Sequence, residues 1–528
     1  MRGPVLLASV CLLTAVARAD VKPVGIFADH MVLQRDMPVP VWGTAAPGEK
    51  VAVSISDRKA PPAEATAGDD GRWMVRLEPL KAGGPFELTI AAKNTITFKD
   101  VLVGEVWVCS GQSNMEFKLE RAAGGADAVA AANDPQLRQF RVGGGIPAEP
   151  ARDVTGTWQE ANPQTVKDWS AAAYFFGKEL RQKLNVPVGL VNNAMGWTPA
   201  EAWTSREAME ADPDLKVIVQ RWDHWTAAYP HAKELYEQKM KEWKAAADKA
   251  KTDGKPIPTE PAQPANPEFM HRAAALYNGM LAPLMPFAIR GVIWYQGETN
   301  SGRADQYRKL FPALIRDWRG HWGQGNFPFI YVQIAPMDAG PVDRAELRDA
   351  QREALSLPNT AMIVTLDIGE AKDEHPHNKK EVGHRLALAA EKLAYAQDVV
   401  YSGPLYQGMK VEGNAIRLSF EHVDGGLVAR GGSLKGFTIA GEDKKFVAAD
   451  AKIDGKSVLV SSAKVDKPVA VRYCFVNWPG DENVTLFNTA GLPASSFRTD
   501  DWPLTTKGET RMFFDQMGLD DVTLTPKK

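Results

Sequence analysis

Between residues 101 and 395, near-continuous apolar runs alternate with helix-like stretches, and few folds can absorb that rhythm. The apolar runs cover 101–109, 186–193, 288–295, 329–334 and 361–366, and the helical stretches 170–184, 305–322, 345–355 and 379–395. A strand buried on both faces reads as an unbroken apolar run, whereas a half-exposed strand alternates. The pattern therefore predicts an α/β fold with a parallel sheet covered by helices on both sides. In such sheets, sites lie beyond the carboxyl ends of the strands. Chemistry is expected immediately after each run.

The first run leads into Ser110-Gly111-Gln112-Ser113-Asn114-Met115-Glu116. A buried strand end can hold a serine still while the turn exposes it. Backbone N–H groups at such a turn can face a developing oxyanion. Ser113 is the candidate nucleophile, although a serine in Gly-x-Ser can equally make a local turn hydrogen bond. A free serine hydroxyl is a weak nucleophile and needs a base. After the last run comes Asp373-Glu374-His375-Pro376-His377, where His375 can serve as base and Asp373 can orient its ring. Two histidines with an aspartate resemble a metal set, but no further Cys/His cluster completes it, so no metal is expected. Gly196 follows the second run, and Trp294-Tyr295-Gln296-Gly297-Glu298-Thr299-Asn300 closes the third. Glycine allows close backbone approach to a reacting carbonyl, and Gln296 or Asn300 can donate from a side-chain amide.

The rest of the chain frames this region. With 528 residues, roughly two to four domains are expected. Residues 1–19 carry Arg2, an apolar run and Ala17-Arg18-Ala19, which read as a secretory signal peptide. Residues 20–100 hold short strand-like runs with turn chemistry at Ala46-Pro47-Gly48 and fit an N-terminal β-sandwich. Residues 101–400 form the α/β region, with a helical insertion at about 205–275 whose stretch 234–251 reads as an exposed helix. Residues 401–528 return to β structure. Removing the signal leaves Cys109 and Cys474, too few for a disulfide framework. The net charge of −3 and the lack of a basic block exclude nucleic acid as an evident partner, and no later stretch is apolar enough to span a membrane. Oligomeric state is not legible.

Taken together, Gly111-Gln112-Ser113-Asn114-Met115, Gly196, 294–300 and 373–376 resemble the SGNH hydrolase superfamily, and more narrowly the bacterial sialate O-acetylesterase family. Asp29-His30-Met31-Val32-Leu33-Gln34-Arg35, Leu276-Tyr277-Asn278-Gly279-Met280 and the stretch 491–500 extend the likeness over nearly the whole mature chain. The resemblance implies an α/β/α sandwich flanked by β-domains. It implies a serine esterase that removes acetyl groups from sugar hydroxyls without a cofactor. Carried over, Ser113 is the nucleophile, His375 the base, and the amides of Ser113 and Gly196 oxyanion donors, with Gln296, Gly297 and Asn300 completing the hole. Gln112, Asn114, Trp197, Glu298 and Arg303 are expected to touch substrate, Arg303 by meeting a carboxylate. The superfamily's acid commonly lies three residues before the histidine, where this chain has Lys372. Asp373, Asp367 and Glu370 are therefore alternatives, as is a Ser–His dyad. Trp197 stands where a glycine is expected and would reshape the acyl or sugar pocket. The substrate expected is a 9-O-acetylated sialic acid, with acetylxylan or another polysaccharide as alternative. A carbohydrate-binding protein with a decayed site is the reading of a different class.

Overall fold

The computed structural model describes residues 20–58, 60–264, 266–338 and 343–510. The expected signal peptide lies outside the described residues, as does the end of the C-terminal region. Seven strands make the spine of the largest sheet: β1 (Thr95–Gly111), β2 (Asp134–Gly143), β3 (Thr155–Ala161), β4 (Val188–Ala194), β5 (Gly291–Tyr295), β6 (Phe329–Val332) and β7 (Thr360–Ile363). Their spatial order is β3-β2-β4-β1-β5-β6-β7. Every neighbouring pair is parallel except β3 with β2. The α/β fold expected from the apolar runs is the fold observed.

Strand β1 organises the molecule. Its first half pairs with Gly83–Ala91 and Val32–Gln34, and its second half with β4 and β5. The N-terminal β region and the α/β region thus share one continuous strand, which runs through residue 101. Period-2 geometry sends Val106 and Val108 into one core and Trp107 and Cys109 into the other. The helices α1 (Ala171–Leu184), α2 (Lys216–Thr252), α3 (Ala304–Trp322), α4 (Asp343–Arg352) and α5 (Lys379–Tyr395) cover the sheet and its edges. Helices α1 and α5 pack on the Trp107 side, while α3 packs Leu310, Phe311 and Leu314 on the opposite side.

Register decides where the site forms. Gly111 of β1 pairs with Ala194 of β4 on one side and Tyr295 of β5 on the other. Three strand ends are therefore level. The chain leaves β1 first toward β4 and then crosses to β5, so these ends flank a topological switch point.

The insertion differs from expectation. The stretch 234–251 is an exposed helix as expected, but it is the second half of a longer one, α2, which spans 37 residues and starts at Lys216. The first third of α2 buries Ile218, Val219, Trp222 and Trp225 in the main core. Their spacing is helical, and Pro230 interrupts the local signal without ending the helix. After α5 the described residues build two four-stranded sheets and one two-stranded sheet. Cys109 and Cys474 are both free and buried. Among the described residues, no helix is long and apolar enough to cross a membrane.

Candidate active site

The strand end at Gly111 sets the serine. Gly111 has φ +138°, and a side chain there would run into the Tyr295 carbonyl, so only glycine lets β1 and β5 close at this level. The Gln112 amide donates to the Tyr295 carbonyl at 3.0 Å, which turns the chain out of the sheet. Ser113 then opens a single helical turn, Ser113–Glu116, without a side-chain cap. Its backbone N–H has no acceptor within that turn, as for any first helical residue.

The loop after β7 brings the histidine. His375 Nε2 lies 2.9 Å from Ser113 Oγ. His375 Nδ1 lies 3.2 Å from Asp373 Oδ1, and the His375 amide donates to the same oxygen at 2.8 Å. Burial pushes the Asp373 carboxyl up, but the His375 amide and ring outweigh it and hold the group below the usual carboxylate range. Phe117 stacks on the His375 ring, centroids 6.2 Å apart. The other two acids are spoken for. Asp367 makes a two-point pair with Arg385 at 2.7 and 2.8 Å, and Glu370 binds His377 at 2.9 Å. Among the described residues, Asp373 is the carboxylate that reaches His375.

On the other side of the serine stands Gly196. A Cβ built on it would come within 3.6 Å of Ser113 Cβ. Its amide donates to Glu116 Oε2 at 2.9 Å, and the second Glu116 oxygen takes Arg141 at 3.5 Å. A carboxylate oxygen thus occupies the amide of the glycine that stands beside the serine.

Several expected residues fall elsewhere. Gln296 and Asn300 do not offer their amides to the serine. Gln296 Nε2 donates to Thr198 O and Asn300 Oδ1, and Asn300 Nδ2 donates to Glu201. The Gly297 amide donates to Gln112 Oε1 at 3.2 Å. Gln112, Asn114 and Glu298 are buried and bind their own chain rather than facing solvent. Arg303 is buried, and its guanidinium is already paired with Glu201 at 2.5 Å. One physical reason covers these side chains: a buried polar group seeks partners, and here they lie within the chain itself, with Glu298 Oε2 left without one. Trp203, Trp294 and Tyr295 are core.

Trp197 alone among the aromatics at the site is exposed, at 46%. It has φ +59°, and its carbonyl is held by His271 Nε2. Phe269 and His271 meet its ring edge-on, at 5.9 and 4.8 Å. Burial lowers the His271 pKa. The end of the insertion therefore braces this indole beside Gly196. Sequence reasoning missed Glu116, Phe117, His271 and Lys379 as site residues. Glu116 and Phe117 directly follow the serine motif, and their position there was the available signal.

Residues 264–392 match the family described as carbohydrate esterase, sialic acid-specific acetylesterase. The sialate O-acetylesterase of Rattus norvegicus is 28% identical over 518 residues, covering 89% of this chain and 92% of that one. The human sialate O-acetylesterase is 26% identical, covering 89% and 90%. A solved carbohydrate acetylesterase from Xanthomonas citri shares 38% identity with a TM-score of 0.77, covering 91% of this chain and all of that one. A likeness of that depth, covering 91% of this chain, makes it a member of the carbohydrate esterase family of sialic acid-specific acetylesterases, and thus an ester hydrolase.

Proposed function

We propose that this protein is a secreted carbohydrate O-acetylesterase that works through an acetyl-enzyme on Ser113. The observation that carries the reading is the 2.9 Å contact between His375 Nε2 and Ser113 Oγ. His375 takes the serine proton as Oγ attacks the acetyl carbonyl. The Ser113 and Gly196 amides receive the oxyanion, once Glu116 has left the Gly196 amide. Collapse expels the sugar oxygen, which takes the proton from His375. Water then gives a proton to His375 and attacks the acetyl carbon, and acetate leaves with the serine restored. Asp373, ionised, holds the ring and stabilises the imidazolium.

The relatives' names point to acetylated sialic acid as substrate. A neutral acetylated polysaccharide such as xylan is the second reading, favoured by the burial of Arg303 against Glu201. Acetate release from 9-O-acetylated sialic acid, set beside acetylated xylan, separates them. Ser113→Ala should lower hydrolysis of a chromogenic acetate by at least about a thousandfold. Full activity in that variant would overturn the mechanism, and glycan binding without any hydrolysis would favour a binding protein. The secretory reading rests on residues 1–19, and a mature N-terminus beginning near Asp20 in exported protein tests it.

A further inference from the structure

Lys379 is fully buried, and it is the first residue of α5. Both facts are unfavourable to an ammonium. Burial removes water from the charge, and a helix N-terminus already carries positive partial charge. No carboxylate lies within salt-bridge distance of it among the described residues. Its partner is an amide: Nζ donates to Asn114 Oδ1 at 2.5 Å. The same ammonium sits 4.9 Å over the Phe117 ring and 5.0 Å over the Tyr295 ring.

Asn114 follows the nucleophile directly. Its Nδ2 makes two further bonds, to Glu298 Oε1 at 2.6 Å and to the Glu374 carbonyl at 2.8 Å. Glu374 directly precedes His375, and Arg344 of α4 anchors its carboxylate at 2.8 Å. One side-chain amide therefore ties the residue after Ser113 to the residue before His375.

An asparagine amide can sit either way round, and its partners decide. As an ammonium, lysine only donates, so in that form it compels Oδ1 to face it. A carbonyl and a carboxylate only accept, so they compel Nδ2 to face them. With Lys379 present, a flipped Asn114 would set amine against amine and oxygen against two oxygens. We propose that Lys379 is a positioning residue that orients Asn114 and so clamps the Ser113 turn to the His375 loop. Phe117 supplies a second route, since its ring meets both the Lys379 ammonium and the His375 ring. The inference rests on the Ser113–His375 mechanism proposed above.

Asn114→Asp is the sharpest test. It keeps the acceptor for Lys379 but removes both donors. Its kcat on a chromogenic acetate should fall about tenfold to a hundredfold with KM nearly unchanged, as expected for a lost alignment. Lys379→Met should show the same split. The double variant Asn114→Asp/Lys379→Met should be no slower than the slower single variant, because both act on one bond. Phosphonylation of Ser113, which does not use the sugar site, should slow by the same factor. Each rate is read where denaturation curves show the variant folded. A kcat within about twofold of the parent in folded Asn114→Asp, or multiplicative losses in the double variant, would overturn the proposal. If Ser113→Ala keeps full activity, the mechanism itself fails. If Ser113→Ala is inactive but Lys379→Met is fully active, only this inference fails.

Discussion

Two polar shells meet at Ser113, and they do opposite work. One is a buried floor: Gln112, Asn114, Glu298 and Lys379 below the serine, with Gln296, Asn300, Glu201 and Arg303 beside it. The other is an exposed rim: Glu116, Arg141 and Trp197. Floor groups satisfy one another, often at three bonds per side chain, as Asn114 does. Rim groups are held from behind and leave a face to solvent, as Trp197 is by His271 and Phe269. The difference teaches that residue type near a nucleophile does not assign a role. Burial does, because a desolvated polar group with fixed partners transmits position, whereas a solvated one can exchange its partner for a ligand.

The contrast is testable in order of effect. The acid behind His375 should matter most. Asp373→Asn is expected to lower kcat at least about a hundredfold, since the ring loses its orienting carboxylate. Asp367→Asn should leave kcat nearly intact while costing about 2 kcal/mol of stability, because the buried Arg385 loses its two-point partner and keeps only Glu381 and the Val364 carbonyl. Equal losses of rate in the two variants would dissolve the distinction between orienting acid and structural acid.

Glu116 tests whether the rim yields to substrate. Glu116→Ala frees the Gly196 amide and should raise kcat/KM on a small acetate by up to about tenfold, the worth of one charge-assisted hydrogen bond. A fall instead would move Glu116 into the floor, as a group that holds the Gly196 loop. Trp197→Ala should act only where there is a sugar to stack on. KM for an acetylated glycan should rise about fivefold, while a chromogenic acetate is unaffected. A matching loss on both substrates would mean that the indole supports the loop rather than the ligand.

The last test is a pH slope in stability rather than a rate. Burial pulls Lys379 down to about 7, against the carboxylates of Glu298, Asp373 and Glu370, which hold it up. The unfolded chain keeps this proton until about pH 10.4. Between those values the unfolded state binds more protons, so stability should climb with pH. The contribution is complete above the unfolded pKa and is lost as pH falls through about 7. Lys379→Met should lack that climb. Urea denaturation of both proteins across this window measures it, and parallel curves would remove Lys379 from the titrating groups of the floor.

Much of the frame was legible from local pattern. Helix α5 runs over Lys379–Tyr395 as its apolar spacing indicates, capped by Asn378. The apolar runs at 329–334 and 361–366 mark β6 and β7 to within a few residues. Helix α2 was half legible, since Pro230 and the lysine-rich second half hide the buried face at Ile218, Trp222 and Trp225. At the site, Ser113, Gly196 and His375 stood out because a buried strand must end before a residue can be exposed. That rule is local and one-dimensional.

What the sequence determined by itself, then, was the set of strand ends and the chemistry standing on them. Strand burial is written into unbroken apolar runs, and a turn into Gly111. What only the tertiary structure decided was which way each polar side chain faces. Arg303 and Trp197 looked alike as substrate contacts, yet one is locked to Glu201 and the other is open to solvent. The partners that settle this lie far apart in the chain: Glu201 for Arg303, Lys379 and Glu374 for Asn114, Glu116 for Gly196. Hydrogen bonds made across such separations depend on the register of β1 with β4 and β5, which no single stretch of sequence encodes.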